Sequence, residues 1–230
     1  MRLYCFPHAG ATSSVFRPWR SLTPSLHTVG VDPPGRGTRA REPKTRDYRE
    51  LVRSMADRVL ADLPAGEGYL TFGHSFGAMV SLAVADAVAR AGGEPPRRAV
   101  LSAALPPGLQ PPGDETTALT DAELLDKIAR DGGTPQELLS SPAMAAHLVG
   151  LMREDYAIRR QFHQDTALRV DFPLTLVAAR DDGYVPVEDM WRWAEHTTAG
   201  CRRVEVDGDH FAVLRDPREL LTNVVEEAVR

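Results

Sequence analysis

Apolar positions along this 230-residue chain fall into two alternating patterns. Short apolar runs read as buried strands, and longer stretches with apolar positions three and four apart read as helices. The runs are Leu3-Tyr4-Cys5-Phe6, His27 to Val31, Tyr69-Leu70-Thr71-Phe72, Arg98 to Ser102, Leu174 to Ala179 and Arg202 to Val206. Between them, helices are predicted around Val15 to Leu22, over Asp47 to Leu63, from Ala78 to the Gly92-Gly93 stop, and from Val187 to His196. The second carries an apolar stripe at Leu51, Val52, Met55, Val59, Leu60 and Leu63. A last helix is predicted from Leu214 to Val229, with Leu220, Leu221, Val224 and Val225 for its buried face. Strand–helix alternation of this kind implies an α/β fold: a mostly parallel sheet with helices on both faces.

The alternation breaks after Leu105. A proline-rich connector, Pro106 to Gly113, leads into three helix starts. Thr120-Asp121-Ala122-Glu123 is a capping box, and Thr134-Pro135-Gln136-Glu137 is a second with proline at the first helical position. Ser141-Pro142 opens a longer helix running to about His163. A single crossover between parallel strands needs far fewer residues than this block contains. The expectation is one domain over residues 1–230, with a helical lid inserted at about 106–168. The plainer alternative is a series of ordinary crossover helices.

Composition narrows the class. With 27 basic and 32 acidic residues the formal net charge is -5, which argues against nucleic-acid binding. No apolar run has the length needed to span a bilayer, and the start lacks a basic-then-apolar signal segment, so a cytoplasmic protein is expected. Cys5 and Cys201 lie far apart and form neither a disulfide framework nor a zinc pattern. No metal and no organic cofactor is expected.

The candidate chemistry centres on Gly73-His74-Ser75-Phe76-Gly77, a G-x-S-x-G sequence between a predicted strand and a predicted helix. Glycines at both flanks let the two backbones approach closely. The serine stands at a helix N-terminus, where unpaired N–H groups and the helix dipole favour negative charge. A bare Gly/Ser turn is the structural alternative. A serine hydroxyl needs a base, and the base needs an orienting partner. In a parallel sheet such residues gather past the carboxyl ends of strands. There the chain offers Asp181-Asp182 after one late strand and His210 after the next, giving the order Ser75, Asp182, His210. Asp182 precedes a Gly-Tyr-Val-Pro turn and is preferred; Asp181 is the alternative acid. Asp207 and Asp209 stand too near His210 in sequence and are read as turn or capping residues. Two oxyanion donors are expected: the backbone N–H of Phe76 and that of Ala9, in the loop after the first strand. His8 is read as a structural pin for that loop.

These segments together carry a resemblance. Cys-Phe-Pro-His-Ala-Gly at residues 5–10, Pro-Gly-Arg-Gly-Thr-Arg at 34–39, Gly-His-Ser-Phe-Gly-Ala at 73–78 and Gly-Asp-His-Phe at 208–211 resemble the type II thioesterases of polyketide and nonribosomal peptide synthesis. So do Gly133-Thr134-Pro135-Gln136-Glu137-Leu138 and Arg153-Glu154-Asp155 in the helical block. The resemblance implies an α/β-hydrolase fold and hydrolysis of acyl groups from the phosphopantetheine arm of an acyl or peptidyl carrier protein. It carries the catalytic roles onto Ser75, His210 and Asp182. The chain departs from the family pattern at Gly10-Ala11, at Pro33-Pro34 and at Gly208-Asp209-His210.

Two further sets of residues follow from that expectation. Met144, Leu148, Met152 and Phe162 are candidate acyl-chain contacts on the inner face of the lid. Carrier proteins are generally acidic, so Arg36, Arg39 and Arg41 are candidate docking residues; the plainer reading is a solvated loop. The first 53 residues hold ten Lys and Arg against four Asp and Glu, on a chain that is acidic overall. The competing readings are a general carboxylesterase of the same fold and a catalytically silent hydrolase fold used for binding.

Overall fold

Six strands form one sheet: β1 (Arg2–Phe6), β2 (His27–Gly30), β3 (Tyr69–His74), β4 (Arg98–Ser102), β5 (Leu174–Ala179) and β6 (Cys201–Val206). The computed structural model describes residues 1–22, 26–111, 118–134 and 136–222. The sheet order is β2-β1-β3-β4-β5-β6, and every neighbouring pair is parallel. All six predicted strands are present. The central strands are buried on both faces, as parallel strands between helical layers should be. Side chains along β1 alternate between two apolar clusters: Tyr4 and Phe6 enter one, Leu3 and Cys5 the other. Leu174, Leu176 and Ala178 of β5 join the first cluster, and Val177 joins the second.

The longer helices are α2 (Tyr48–Asp62) and α3 (Phe76–Arg90), and both cover the first cluster. Asp47 caps α2 by accepting the Glu50 N–H, which satisfies one of the four orphan donors of the first turn. α1 (Trp19–Leu22) is a short helix preceded by a 3-10 turn at Ser13–Phe16. It buries Trp19 against Phe16 and Phe72 on the opposite face of the sheet. The predicted helix over 15–22 is therefore two short pieces, and Pro18, which has no N–H to donate, lies between them.

Between β4 and β5 the chain forms α4 (Asp121–Asp131), α5 (Gln136–Leu139) and α6 (Pro142–Arg159), then a 3-10 turn at Phe162–Asp165. The capping box at Thr120 and Glu123 is formed in both directions. Pro135, the centre of the second predicted capping box, lies outside the described residues. This block has a small apolar cluster of its own: Leu124, Ile128, Val149, Met152 and Tyr156, with Ala9 from the loop after β1 packed against it.

After β5 come α7 (Val187–Trp191), continued as a 3-10 turn to His196, then β6, α8 (Ala212–Arg215) and α9 (Arg218–Leu220). The single helix predicted from Leu214 is a correction. Asp216 precedes Pro217 and is pushed out of the helical region, to φ -132 and ψ 86, and this separates α8 from α9. Val224 and Val225 lie outside the described residues. Among the described residues no helix is long and apolar enough to cross a membrane.

The close packing of α3 on the end of β1 yields a test. A Cβ on Gly77 would sit 2.2 Å from the Phe6 carbonyl oxygen and 2.5 Å from that of Pro7. Both are backbone atoms of β1 and its following loop and cannot rotate away. Gly77→Ala is expected to cost about 1–3 kcal/mol, the range for overpacked cores. Gly150→Ala on α6, where a Cβ meets nothing within 4 Å, is expected to be neutral or stabilising by up to about 1 kcal/mol. Urea unfolding midpoints check the pair; equal midpoints would show that the contact at Gly77 is readily relieved.

Candidate active site

β3 runs into α3 with no connecting loop, and Ser75 is the single residue between them. It takes φ 54 and ψ -120, a conformation that side chains rarely adopt. Such a residue costs about 1–3 kcal/mol and persists only where its surroundings hold it. Here they do. The Ser75 N–H donates to the Ser102 carbonyl at 2.8 Å, its own carbonyl accepts the Ala78 N–H at 3.0 Å, and glycines flank the turn. Ser75 stays half-buried, whereas His74 and Phe76 on either side are buried. Phe76 opens α3, where backbone N–H groups have no intrahelical acceptor.

The loops after β5 and β6 meet beside this turn. His210 Nδ1 donates to Asp182 Oδ2 at 2.8 Å. The other carboxylate oxygen, Oδ1, accepts the N–H groups of Tyr184 at 2.8 Å and Val185 at 3.1 Å. The acid is thus oriented by backbone donors and in turn fixes the histidine tautomer, leaving Nε2 as the acceptor. The side chains of Asp182 and His210 are 1% and 10% exposed. Asp181 is exposed, and its N–H bonds the Gly208 carbonyl at 3.0 Å. The geometry therefore joins Asp182, not Asp181, to His210. Asp207 pairs with Arg180 and Asp209 with Arg215, so neither bonds the histidine ring.

His210 packs among other rings. His74 is 5.1 Å away between centroids, Phe211 5.0 Å and Tyr184 5.4 Å. His74 bonds Ser102 Oγ through Nδ1 at 3.1 Å. His8 stacks edge-on to Phe211 at 5.0 Å and bonds the Ala9 carbonyl at 3.0 Å, so it pins its loop as expected. Burial lowers the His8 pKa from 6.5 to about 4, with the nearby His210 acting in the same direction. Burial likewise holds His74 well below the ordinary range. Both flanking imidazoles are neutral at neutral pH and add no positive charge beside His210.

The remaining candidates separate. Leu148 and Met152 lie directly over the loop after β1: a Cβ on Gly10 would be 2.5 Å from Met152 Sδ and 3.2 Å from Leu148 Cδ1. Met144 is 43% exposed, so it does not line an enclosed surface. Phe162 is 1% exposed and packs with Tyr48 and Phe76 in the main core, so it is a core residue rather than a free lining. Arg36 also needs correcting as a docking residue. It is 7% exposed, and its guanidinium forms a two-pronged pair with Asp155 of α6 at 2.6 and 2.8 Å. Arg39 is held by Glu42 and Ser54, and Arg41 is exposed.

The Asp155 site was missed by sequence reasoning. Its carboxylate is buried and accepts the Gly10 N–H at 2.7 Å in addition to Arg36. The signal was present: Asp155 lies four residues after Leu151 and three after Met152, on the apolar stripe of its helix. A surface cleft of about 690 Å³ between α2 and α3 has a floor of Val52, Ala56 and Ala83, and none of Ser75, Asp182 and His210 lines it.

The buried histidines predict acid lability. Between about pH 6.5 and 4 the unfolded chain binds a proton at residue 8 that the folded chain does not. Stability from His8 is therefore complete above pH 6.5 and is lost as pH falls toward 4. The loss should approach on the order of 3 kcal/mol. His8→Gln is expected to shrink the wild-type difference in unfolding free energy between pH 7 and pH 4.5, measured in urea. An unchanged difference would mean His8 is protonated in the fold.

Comparison with known proteins adds the family context. A family model described as a thioesterase domain matches residues 1–228. Linear gramicidin dehydrogenase LgrE of Brevibacillus parabrevis is 30% identical over 99% of this chain and 87% of its own length. Thioesterase PikA5 of Streptomyces venezuelae is 30% identical over 92% of this chain and 75% of its own length. The structure of RedJ, a thioesterase from the prodiginine biosynthetic pathway in Streptomyces coelicolor, superposes with a TM-score of 0.88 at 29% identity, over 99% of this chain and 90% of RedJ.

Proposed function

This chain belongs to the thioesterase domain family, and on that premise we propose that it releases acyl groups from the phosphopantetheine arm of acyl or peptidyl carrier proteins. It is a hydrolase acting on thioesters, of the α/β-hydrolase fold, similar to type II thioesterases of polyketide and nonribosomal peptide pathways. One observation carries the assignment of residues. The Asp182–His210 pair at 2.8 Å stands beside a strained turn that presents Ser75.

The chemistry follows from those groups. His210 Nε2 takes the Ser75 proton as Oγ attacks the thioester carbonyl. Negative charge moves to the carbonyl oxygen, facing the N–H groups of Phe76 and Ala9. The C–S bond then breaks. A thiolate is a good leaving group, and the imidazolium returns the proton to it. Water, deprotonated by His210, attacks the acyl-serine ester, and the acid leaves as Ser75 regains its proton. Asp182 steadies the imidazolium in both halves.

The helical block at 106–168 serves as the lid, with Leu148 and Met152 facing the loop that carries Ala9. Its α4 end also touches the acid loop. Tyr184 bonds Asp131, and Lys127 donates to the Tyr184 oxygen at 3.0 Å. The dehydrogenase name of one relative does not transfer. Gly35-Arg36-Gly37-Thr38-Arg39-Ala40 has the spacing of a dinucleotide loop, but it opens only a three-residue 3-10 turn. The Asp32 carboxylate also fills the space over Gly37, 2.3 Å from where a Cβ would sit, so a negative charge occupies the phosphate position.

Turnover of a panel of acyl-carrier thioesters tests this reading. Ser75→Ala should abolish hydrolysis, and His210→Ala should remove nearly as much, without the two losses adding. Asp182→Asn should cost about 10⁴ in kcat, as for other triad acids, and Asp181→Asn little. Loss at Asp181 with none at Asp182 would refute the residue assignment. For carrier docking the exposed Arg41 remains the candidate. Arg41→Glu should lower kcat/KM for an acyl-carrier substrate in a salt-dependent way, and leave a small acyl thioester untouched. Equal effects on both substrates would sink the docking idea.

A further inference from the structure

The loop after β1 is held from two sides by buried carboxylates. Asp32 accepts the Ser13 N–H at 2.6 Å and the Ser13 hydroxyl at 2.9 Å, and it also accepts the Thr38 N–H at 2.8 Å. Asp155, reaching in from α6, accepts the Gly10 N–H at 2.7 Å. The Ala11 N–H is bonded to the His8 carbonyl at 3.1 Å. The N–H groups of Gly10 and Ala11 are therefore both committed, and of residues 9–11 it is Ala9 whose N–H can face a developing oxyanion. The direction of that N–H depends on the peptide plane beside it, which Asp155 fixes through Gly10.

Asp155 brings a problem with it. It places a full negative charge one residue from the point where negative charge must develop. Arg36 removes the problem: its two nitrogens at 2.6 and 2.8 Å neutralise the carboxylate, and Nη1 also reaches the Ala11 carbonyl at 3.4 Å. The pair is buried on both sides, 7% and 1% exposed. A pair of this kind adds little stability over an apolar pair of similar size, so stability alone does not account for it.

We propose that Asp155, neutralised by Arg36, is a positioning residue for thioester hydrolysis: it sets the Ala9 N–H toward the oxyanion and makes turnover depend on the seating of α6. This rests on the thioesterase reading above. The test is a cycle of Arg36→Met, Asp155→Leu and the double variant, with kcat and KM on a small acyl thioester measured beside urea stability. Arg36→Met strands the Asp155 carboxylate, and Asp155→Leu strands the Gly10 N–H and leaves Arg36 only Glu154, at 3.8 Å, as a carboxylate partner, so each single variant should lose both stability and kcat. The double variant should regain stability but keep a kcat loss of about 10²-fold, the scale of one oxyanion donor, with KM within about twofold of wild type. Full recovery of kcat together with stability would overturn the proposal and leave the pair a packing feature. Should the apolar pair fail to fold, Asp155→Asn with Arg36→Gln carries the test. Its amide oxygen can still accept from Gly10, so kcat should stay well above that of Arg36→Gln alone; equality of the two would overturn the proposal. A wild-type protein without thioester turnover would instead refute the function, and a fully active double variant only this inference.

Discussion

The whole arrangement depends on a steric constraint: β3 must reverse into α3 across one residue. Such a turn brings Gly73 of β3 against the backbone of Gly77 and Ala78 in α3, and it seats Gly77 against the backbone of Phe6 and Pro7 at the end of β1; a Cβ at either position would clash. The turn also forces Ser75 to φ 54. The cost is local, while the return is spread over the molecule. The strand is fixed by parallel neighbours on both sides and the helix by the main core. Neither can shift to relieve the serine. A hydroxyl that would relax in a flexible loop is therefore kept at one point, at the positive end of a helix.

The parallel sheet explains why the partners arrive at the same place. With all strands running one way, the loops after β1, β3, β5 and β6 emerge at one edge of the sheet. Four segments far apart in sequence bring the Ala9 loop, Ser75, Asp182 and His210 to one end of the sheet. The neutral histidines around His210 fit the same logic. His8 and His74 fill space next to His210 as polarisable rings, and burial keeps both neutral, so they add no positive charge beside it.

Much of this was legible in the sequence, because it follows from local rules. Strand runs, the capping box at Thr120 and the order Ser75, Asp182, His210 are set by residue spacing. The preference for Asp182 over Asp181 was readable from the turn that follows it, whose Tyr184 N–H bonds the Asp182 carboxylate. What failed depended on partners distant in sequence. Arg36 looks like a solvated arginine in a loop, yet Asp155, 119 residues away, draws it inside. Phe162 looked like lid lining, yet Tyr48 and Phe76 claim it for the core. The last helix failed for a local reason that was visible: Pro217 stands within it.

The helical block is fastened unequally at its two ends, and the inequality bears on how substrate enters. At α6 the fastening is a buried ion pair together with a backbone hydrogen bond, and leaving one partner of such a pair behind costs about 3–5 kcal/mol. At α4 it is Lys127, Asp131 and Tyr184, with Tyr184 48% exposed. Lys127 and Asp131 are 20% and 14% exposed, against 7% and 1% for Arg36 and Asp155, so solvent screens the contacts at α4 more than the buried pair at α6. Opening by a rigid swing of the whole block would break the strong end and withdraw Asp155 from Gly10. Separating the α4 end breaks the polar contacts at Tyr184 and also the packing of Leu124 and Ile128 on Val149, Met152 and Tyr156 of α6, while the Asp155–Gly10 contact stays in place. The Asp155–Arg36 pair thus ties α6 to the loop after β1, and any path to Ser75 that spares the Gly10 contact has to part α4 both from the Tyr184 turn and from α6.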